Sequence, residues 1–357
     1  MAIKTTSDYF PALTGLRWPL GTIIYIAHYN RFDAGSFLQY LFAGAGVALS
    51  LFFILSGFLI TYKYKQHFRL EKKWMAAYLF KRFARIYPVF FTISIVVLAI
   101  NLVFFPQSVD YKSLPLHFLM INGYFERSFS VLIAPSWSLT VEETYYLVAP
   151  LLFVLHRRLP LLVIFAILFL TGLAITLLSA RLGSNDFMHT VTYMMDRTFF
   201  GRSLEFLLGM ALSNFYEKHR QLKFRYITYL SLFFLLVFMF LQGGLFRGYF
   251  DSPAIYWLIK LRNYIFPWIG VTFLYGLLTE DTRFRRLLSI PFIQLLGKTS
   301  YVFYLIHLTA IIPVLLYFLP PNAVIFYIVL QLLSLAIYLV WEHPAHHFLL
   351  KKFSSKP

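Results

Sequence analysis

Residues 13–30 read LTGLRWPLGTIIYIAHYN, an apolar run long enough to enter a membrane that nevertheless holds Arg17 and His28. At about 100° and 1.5 Å per residue, the eleven helical steps between them return to within about 20° and advance about 16 Å. Both side chains then share one face at different depths. Ionisable groups inside a span are costly in lipid, so the pair marks a candidate site. The simpler reading is a snorkelling arginine and an interfacial histidine.

The rest of the chain has the same character. Of its 357 residues 59% are hydrophobic, 20% aromatic and only 13% charged, far more apolar sequence than a water-soluble domain needs. Apolar runs centre on 12–30, 37–61, 86–105, 138–155, 159–180, 198–216, 226–246, 256–278, 292–318 and 322–342. Runs of this length cross a hydrocarbon core of about 30 Å as helices, whereas a membrane barrel shows short alternating segments. The expected fold is all-α, a polytopic membrane protein of about ten transmembrane helices. Segment 106–137 contains Pro106, Pro115 and Pro135 and only the short apolar piece LPLHFLM, so it is expected to be re-entrant or extramembrane.

The net charge of +17 would suggest nucleic acid in a soluble protein, but the positive residues sit in short loops between apolar runs. Lys4, the block from Lys63 to Arg85, Arg157 with Arg158, the block from Lys218 to Arg225, the block from Arg283 to Lys298, and Lys351 to Lys356 fall on one side of a ten-span arrangement. That is the positive-inside pattern, which places both termini in the cytoplasm and argues against a nucleic-acid partner. Cysteine is absent, which removes disulfides, thiolate nucleophiles and cysteine-ligated metals. The histidines of WEHPAHHF lack partner ligands at metal spacing, so no metal is expected. A single membrane domain over 1–357 is expected, with no soluble domain after the last span.

Several stretches can carry chemistry. His28, whose ordinary pKa suits proton abstraction from a hydroxyl, is a candidate general base. Arg82 and Arg85 in KRFARIYP are spaced i, i+3 and, with Lys81, can present cations to a phosphate-bearing ligand, although positive-inside charge alone also accounts for them. In PSWSLTVEETYYLVAP, residues 135–150, Glu142 is a candidate partner for His28, and Ser138 with Glu142, or Thr140 with Glu143, also fits a helix-capping arrangement. Trp137 and Ser138 are candidate substrate contacts. Arg202 and Glu205 in GRSLEFLLGM are expected to pair as structural glue, and Ser300 and His307 in GKTSYVFYLIHL to line the cavity or to bond a neighbouring helix. Buried ionisable groups also suit a proton-coupled transporter, but interrupted helices and paired half-repeats are not visible.

Together LTGLRWPLGTIIYIAH, LSLFFILSGFLITYKY, KRFARIYPVF, PSWSLTVEETYYLVAPLL, GRSLEFLLGM, GKTSYVFYLIHL and WEHP resemble the acyltransferase-3 family of integral-membrane O-acyltransferases, in the family's order from residue 13 to 344. The resemblance implies essential Arg17 and His28, a cytoplasmic Arg82–Arg85 pair at the donor site, and Glu142 in the WSL-x-x-E motif. It further implies acetyl-CoA or another acyl-CoA as donor and a glycan or glycolipid acceptor, such as lipopolysaccharide or exopolysaccharide, at the outer face of a bacterial inner membrane. Acyl transfer to a small metabolite or lipid is the variant within this reading. Many members also carry a serine-hydrolase-like domain, and only KKFSSKP follows Leu350 here.

Overall fold

The computed structural model describes residues 9–29, 32–33, 35–220, 225–246 and 253–354. The predicted sides of the two termini, and the charges Lys4, Lys223 and Lys356, lie outside the described residues. The chain folds as α1 (Pro11–His28), α2 (Phe37–Ala43), α3 (Gly46–Tyr64), α4 (Lys72–Phe104), α5 (Leu114–Phe118), α6 (Ser136–Leu155), α7 (Leu161–Arg181) and α8 (Val191–Arg197). There follow α9 (Phe199–Lys218), α10 (Ile227–Phe246), α11 (Pro253–Thr279), α12 (Arg283–Leu288), α13 (Pro291–Ile306), α14 (Ile311–Leu315), α15 (Ala323–Ile337), a π-helical stretch Tyr338–Glu342, and α16 (His343–Ser354). Among the described residues there is no strand, only an isolated bridge between Phe125 and Phe187.

Each apolar run is built mainly of helix where it is described, and among the described residues six segments are long and apolar enough to cross a membrane: Phe37–His67, Lys72–Phe104, Ser136–Leu155, Leu161–Arg181, Ile227–Gly244 and Ala323–Lys352. Helices α1, α9 and α13 fall outside that set. They carry Arg17, the Arg202–Glu205 pair and Lys298, and they pack inside the bundle. The apolar face of α7, with Leu162, Ile167, Leu170 and Leu177, is exposed instead, as suits a lipid-facing helix.

Two boundaries differ from the sequence reading. Helix α4 begins at Lys72 rather than near residue 86, because KKWMAAYLFKRFAR contains good helix formers and nothing that stops a helix. At 33 residues it is about 50 Å long, more than a bilayer core, so Arg82 and Arg85 stand on a rigid helix and not in a basic loop. The run 292–318 divides into α13 and α14, with His307 at the break.

Close helix contact depends on glycine. A Cβ on Gly57 would lie 2.1 Å from the Phe206 carbonyl oxygen, and one on Gly209 would lie 2.1 Å from that of Ile54. Helices α3 and α9 thus touch backbone to backbone, as small residues allow in membrane bundles.

Segment 106–137 forms short turns and the five-residue α5, too brief to cross. Its buried Asn122 donates to Ser136 Oγ at 2.8 Å and to the Phe129 carbonyl at 3.0 Å, which fixes the entry to α6. In α5, His117 is fully buried with Nε2 2.9 Å from Ser94 Oγ, and burial pushes its imidazole down to about 4. A depressed value means the fold favours the uncharged ring. The stability this supplies is complete above the ordinary value of about 6.5 and is lost as the pH falls from there towards 4. Thermal midpoints measured from pH 7 to 4.5 should therefore fall more steeply for the native protein than for His117→Gln.

Candidate active site

Helices α1, α3, α4, α6 and α13 surround a cleft with about 1060 Å³ of empty space, counting its mouth. Five cations line it: Arg17 from α1, Lys63 from α3, Arg82 and Arg85 from α4, and Lys298 from α13. Two carboxylates, Glu142 and Glu342, share the cleft, and Leu49, Phe52, Leu55 and Leu59 form an apolar wall. Arg82 donates to Tyr64 Oη at 2.7 Å and lies over the rings of Tyr64 and Tyr146, but its Nε has no hydrogen-bond partner among the described residues. None of Arg17, Lys63, Arg85 and Lys298 is held by a hydrogen bond or salt bridge to a described residue. So much unpaired positive charge beside an apolar wall matches a ligand with an anionic end and an uncharged arm. Lys81, grouped with Arg82 and Arg85 from the sequence, is half-buried and does not line the cleft.

Glu142 accepts from Ser56 Oγ at 3.0 Å and from Tyr146 Oη. It therefore stands within the cationic cleft. Neither capping arrangement, Ser138 with Glu142 or Thr140 with Glu143, forms, since α6 starts after Pro135 with no side-chain cap. Ser138 Oγ instead meets Tyr304 Oη at 2.7 Å and the Pro135 carbonyl at 2.9 Å, which ties α6 to α13. Trp137 carries the Arg197 guanidinium over its ring at 4.9 Å, with Phe129 on the same cation at 4.3 Å. Ser300 lines the cleft and donates within its own helix to the Gly297 carbonyl.

His28 ends α1, exposed, and is not among the cleft-lining residues. Its ring neighbour is His307, with centroids 5.5 Å apart. His307 is 1% exposed, and its Nδ1 lies 2.8 Å from the Tyr304 carbonyl oxygen. Tyr304 lines the cleft, so Tyr304 and His307 connect the cationic space to His28.

Arg202 and Glu205 do pair. Arg202 Nε and Nη2 lie 2.8 Å from the two carboxylate oxygens, while Nη1 reaches Asn263 Oδ1 at 2.5 Å and Nη2 reaches Ser50 Oγ at 3.1 Å. Neither residue lines the cleft, although the Arg202 guanidinium lies over the ring of Phe53, which does.

Sequence reasoning did not single out Lys63 or Lys298 as site residues, nor Ser56, Tyr146 and Glu342. Lys63 and Lys298 read as topology charges, because only helix packing brings them to the cleft that Arg17 lines.

The family model described as "Acyltransferase domain" matches residues 11–341. The O-acetyltransferase OatA of Staphylococcus aureus (strain NCTC 8325 / PS 47) is 26% identical over 356 residues, covering 92% of this chain and 55% of the relative. The chain thus spans about half the length of that curated relative. The acyltransferase MdmB of Streptomyces mycarofaciens is 28% identical over 164 residues, covering 42% of this chain and 41% of its own. The peptidoglycan O-acetyltransferase OatA of Listeria monocytogenes serovar 1/2a is 27% identical over 165 residues, 41% of this chain and 24% of its own. No solved structure matches. With a family match that takes in all but the ends of the chain, and with six of the seven motifs in order inside it and WEHP at its edge, this protein belongs to the acyltransferase domain family.

Proposed function

We propose that this chain is a membrane O-acyltransferase that moves an acyl group, acetyl in the first instance, from acyl-coenzyme A to a hydroxyl of a glycan or glycolipid. The observation that carries the reading is the cluster of five cations in the cleft, four of which have no hydrogen-bond or salt-bridge partner among the described residues. Coenzyme A supplies phosphates for Arg82, Arg85 and Lys63, and its uncharged arm suits the apolar wall. The acetyltransferase names of the relatives support acetyl, and the peptidoglycan named for the Listeria protein supports a glycan acceptor. Ten spans, with both termini and the donor mouth on the cytoplasmic side of a bacterial inner membrane, complete the proposal.

In the reaction the acceptor hydroxyl gives its proton to His28 and its oxygen attacks the thioester carbonyl. A carbon–oxygen bond forms, the carbon–sulfur bond breaks, and the thiolate leaves and takes up a proton. Arg17 and Glu142 stand on the donor's side of this transfer.

Purified protein in nanodiscs, given radiolabelled acetyl-coenzyme A and a candidate glycan, should move label to the glycan. Transport of unmodified solute with no label transferred would sink the reading. Replacing both Arg82 and Arg85 with Ala should weaken donor binding at least about tenfold and flatten its salt dependence. Unchanged binding would remove them from the donor site.

A further inference from the structure

The sequence offered Glu142 as the group that orients His28, but Glu142 is engaged by Ser56 and Tyr146 in the cleft. A histidine acting as a base needs one ring nitrogen held so that the other presents its lone pair to the substrate. Resting on the reading of His28 as the general base, we propose that His307 is its positioning residue, accepting the His28 N–H at a bare Nε2.

The geometry argues this from His307 outwards. Its Nδ1 lies 2.8 Å from the Tyr304 carbonyl oxygen. A carbonyl oxygen only accepts, so Nδ1 carries the proton, and in the imidazole form Nε2 is left as an acceptor. That Nε2 is buried and has no hydrogen-bond partner among the described residues. An orphaned acceptor in a side chain only 1% exposed is expensive unless a donor reaches it. The adjacent imidazole is His28, with ring centroids 5.5 Å apart and planes tilted by 42°. The two rings are neighbours with no hydrogen bond between them in this structure, and a rotation of the exposed His28 side chain is what would bring its N–H onto Nε2.

The remaining contacts of His307 keep it in place. Its ring stacks on Phe303 at 6.0 Å and 7°, and its carbonyl accepts from Tyr29 Oη at 2.7 Å. Tyr29 directly follows His28, so the residue next to the base is tied to the same histidine. His307 thus fixes the tautomer of His28 and stabilises its protonated form after attack, without itself touching the substrate.

The test compares His307→Leu with His307→Gln, whose amide oxygen can accept where Nε2 does. His307→Leu should lower kcat about 100-fold with donor affinity and acceptor KM unchanged, and His307→Gln should recover to within about tenfold. In ¹⁵N-histidine spectra, with the His28 signals identified by their loss in His28→Asn, native protein and His307→Gln should show one His28 tautomer and His307→Leu a mixture. The proposal is overturned by native kcat in His307→Leu, by equal losses in both variants alongside lowered thermal stability, or by a His28 tautomer that is the same in all three. Native protein that transfers no acyl group would refute the general-base reading, while the spectra would still decide the contact between the two histidines.

Discussion

Arg202→Leu should destabilise the protein by about 3–5 kcal/mol, measured as thermal or denaturant unfolding in detergent. Arg202 is 3% exposed and Glu205 is fully buried, and the two carboxylate oxygens each face a guanidinium nitrogen at 2.8 Å. Removing the arginine leaves Glu205 without its counterion in a low-dielectric interior, and also strips Asn263 and Ser50 of a donor. The cost comes from the stranded charge more than from a lost attraction. The double variant Arg202→Leu, Glu205→Leu should therefore recover much of the loss, because a buried pair gains little over apolar residues of similar volume. A double variant no more stable than Arg202→Leu would show that the network holds α9 in place by itself, independently of charge balance.

His28→Ala should lower kcat by about 10²–10⁴-fold while leaving acyl-coenzyme A affinity unchanged. The separation is expected because His28 does not line the cationic cleft, whereas Arg17, eleven residues earlier on α1, does. A single-turnover measurement with labelled donor, beside equilibrium binding of the same donor, reads the two effects apart. Donor binding that weakens together with kcat would place His28 in the donor site. Full activity would remove it from the chemistry altogether.

The all-α character, the positions of the apolar runs and the oddity of Arg17 and His28 follow from the sequence alone, since apolar length and charge placement are local properties that lipid imposes on any helix. The pairing of Arg202 with Glu205 is also local, three residues apart on one helix face. The early start of α4 was hidden because its first turns are polar, and hydropathy reports where lipid lies rather than where helix lies. The partners of the site residues belonged to tertiary structure. Glu142 meets Ser56 of α3, Lys63 and Lys298 line the same cleft as Arg17, and His307 arrives beside His28 from nearly the other end of the chain. Such meetings depend on the rotation of each helix and on glycines such as Gly57 and Gly209 that let backbones touch, and neither is encoded within a single span. Read from sequence, Arg17 and His28 were two ionisable groups on one helix face. Packing set one in a cationic cleft and the other against a second histidine.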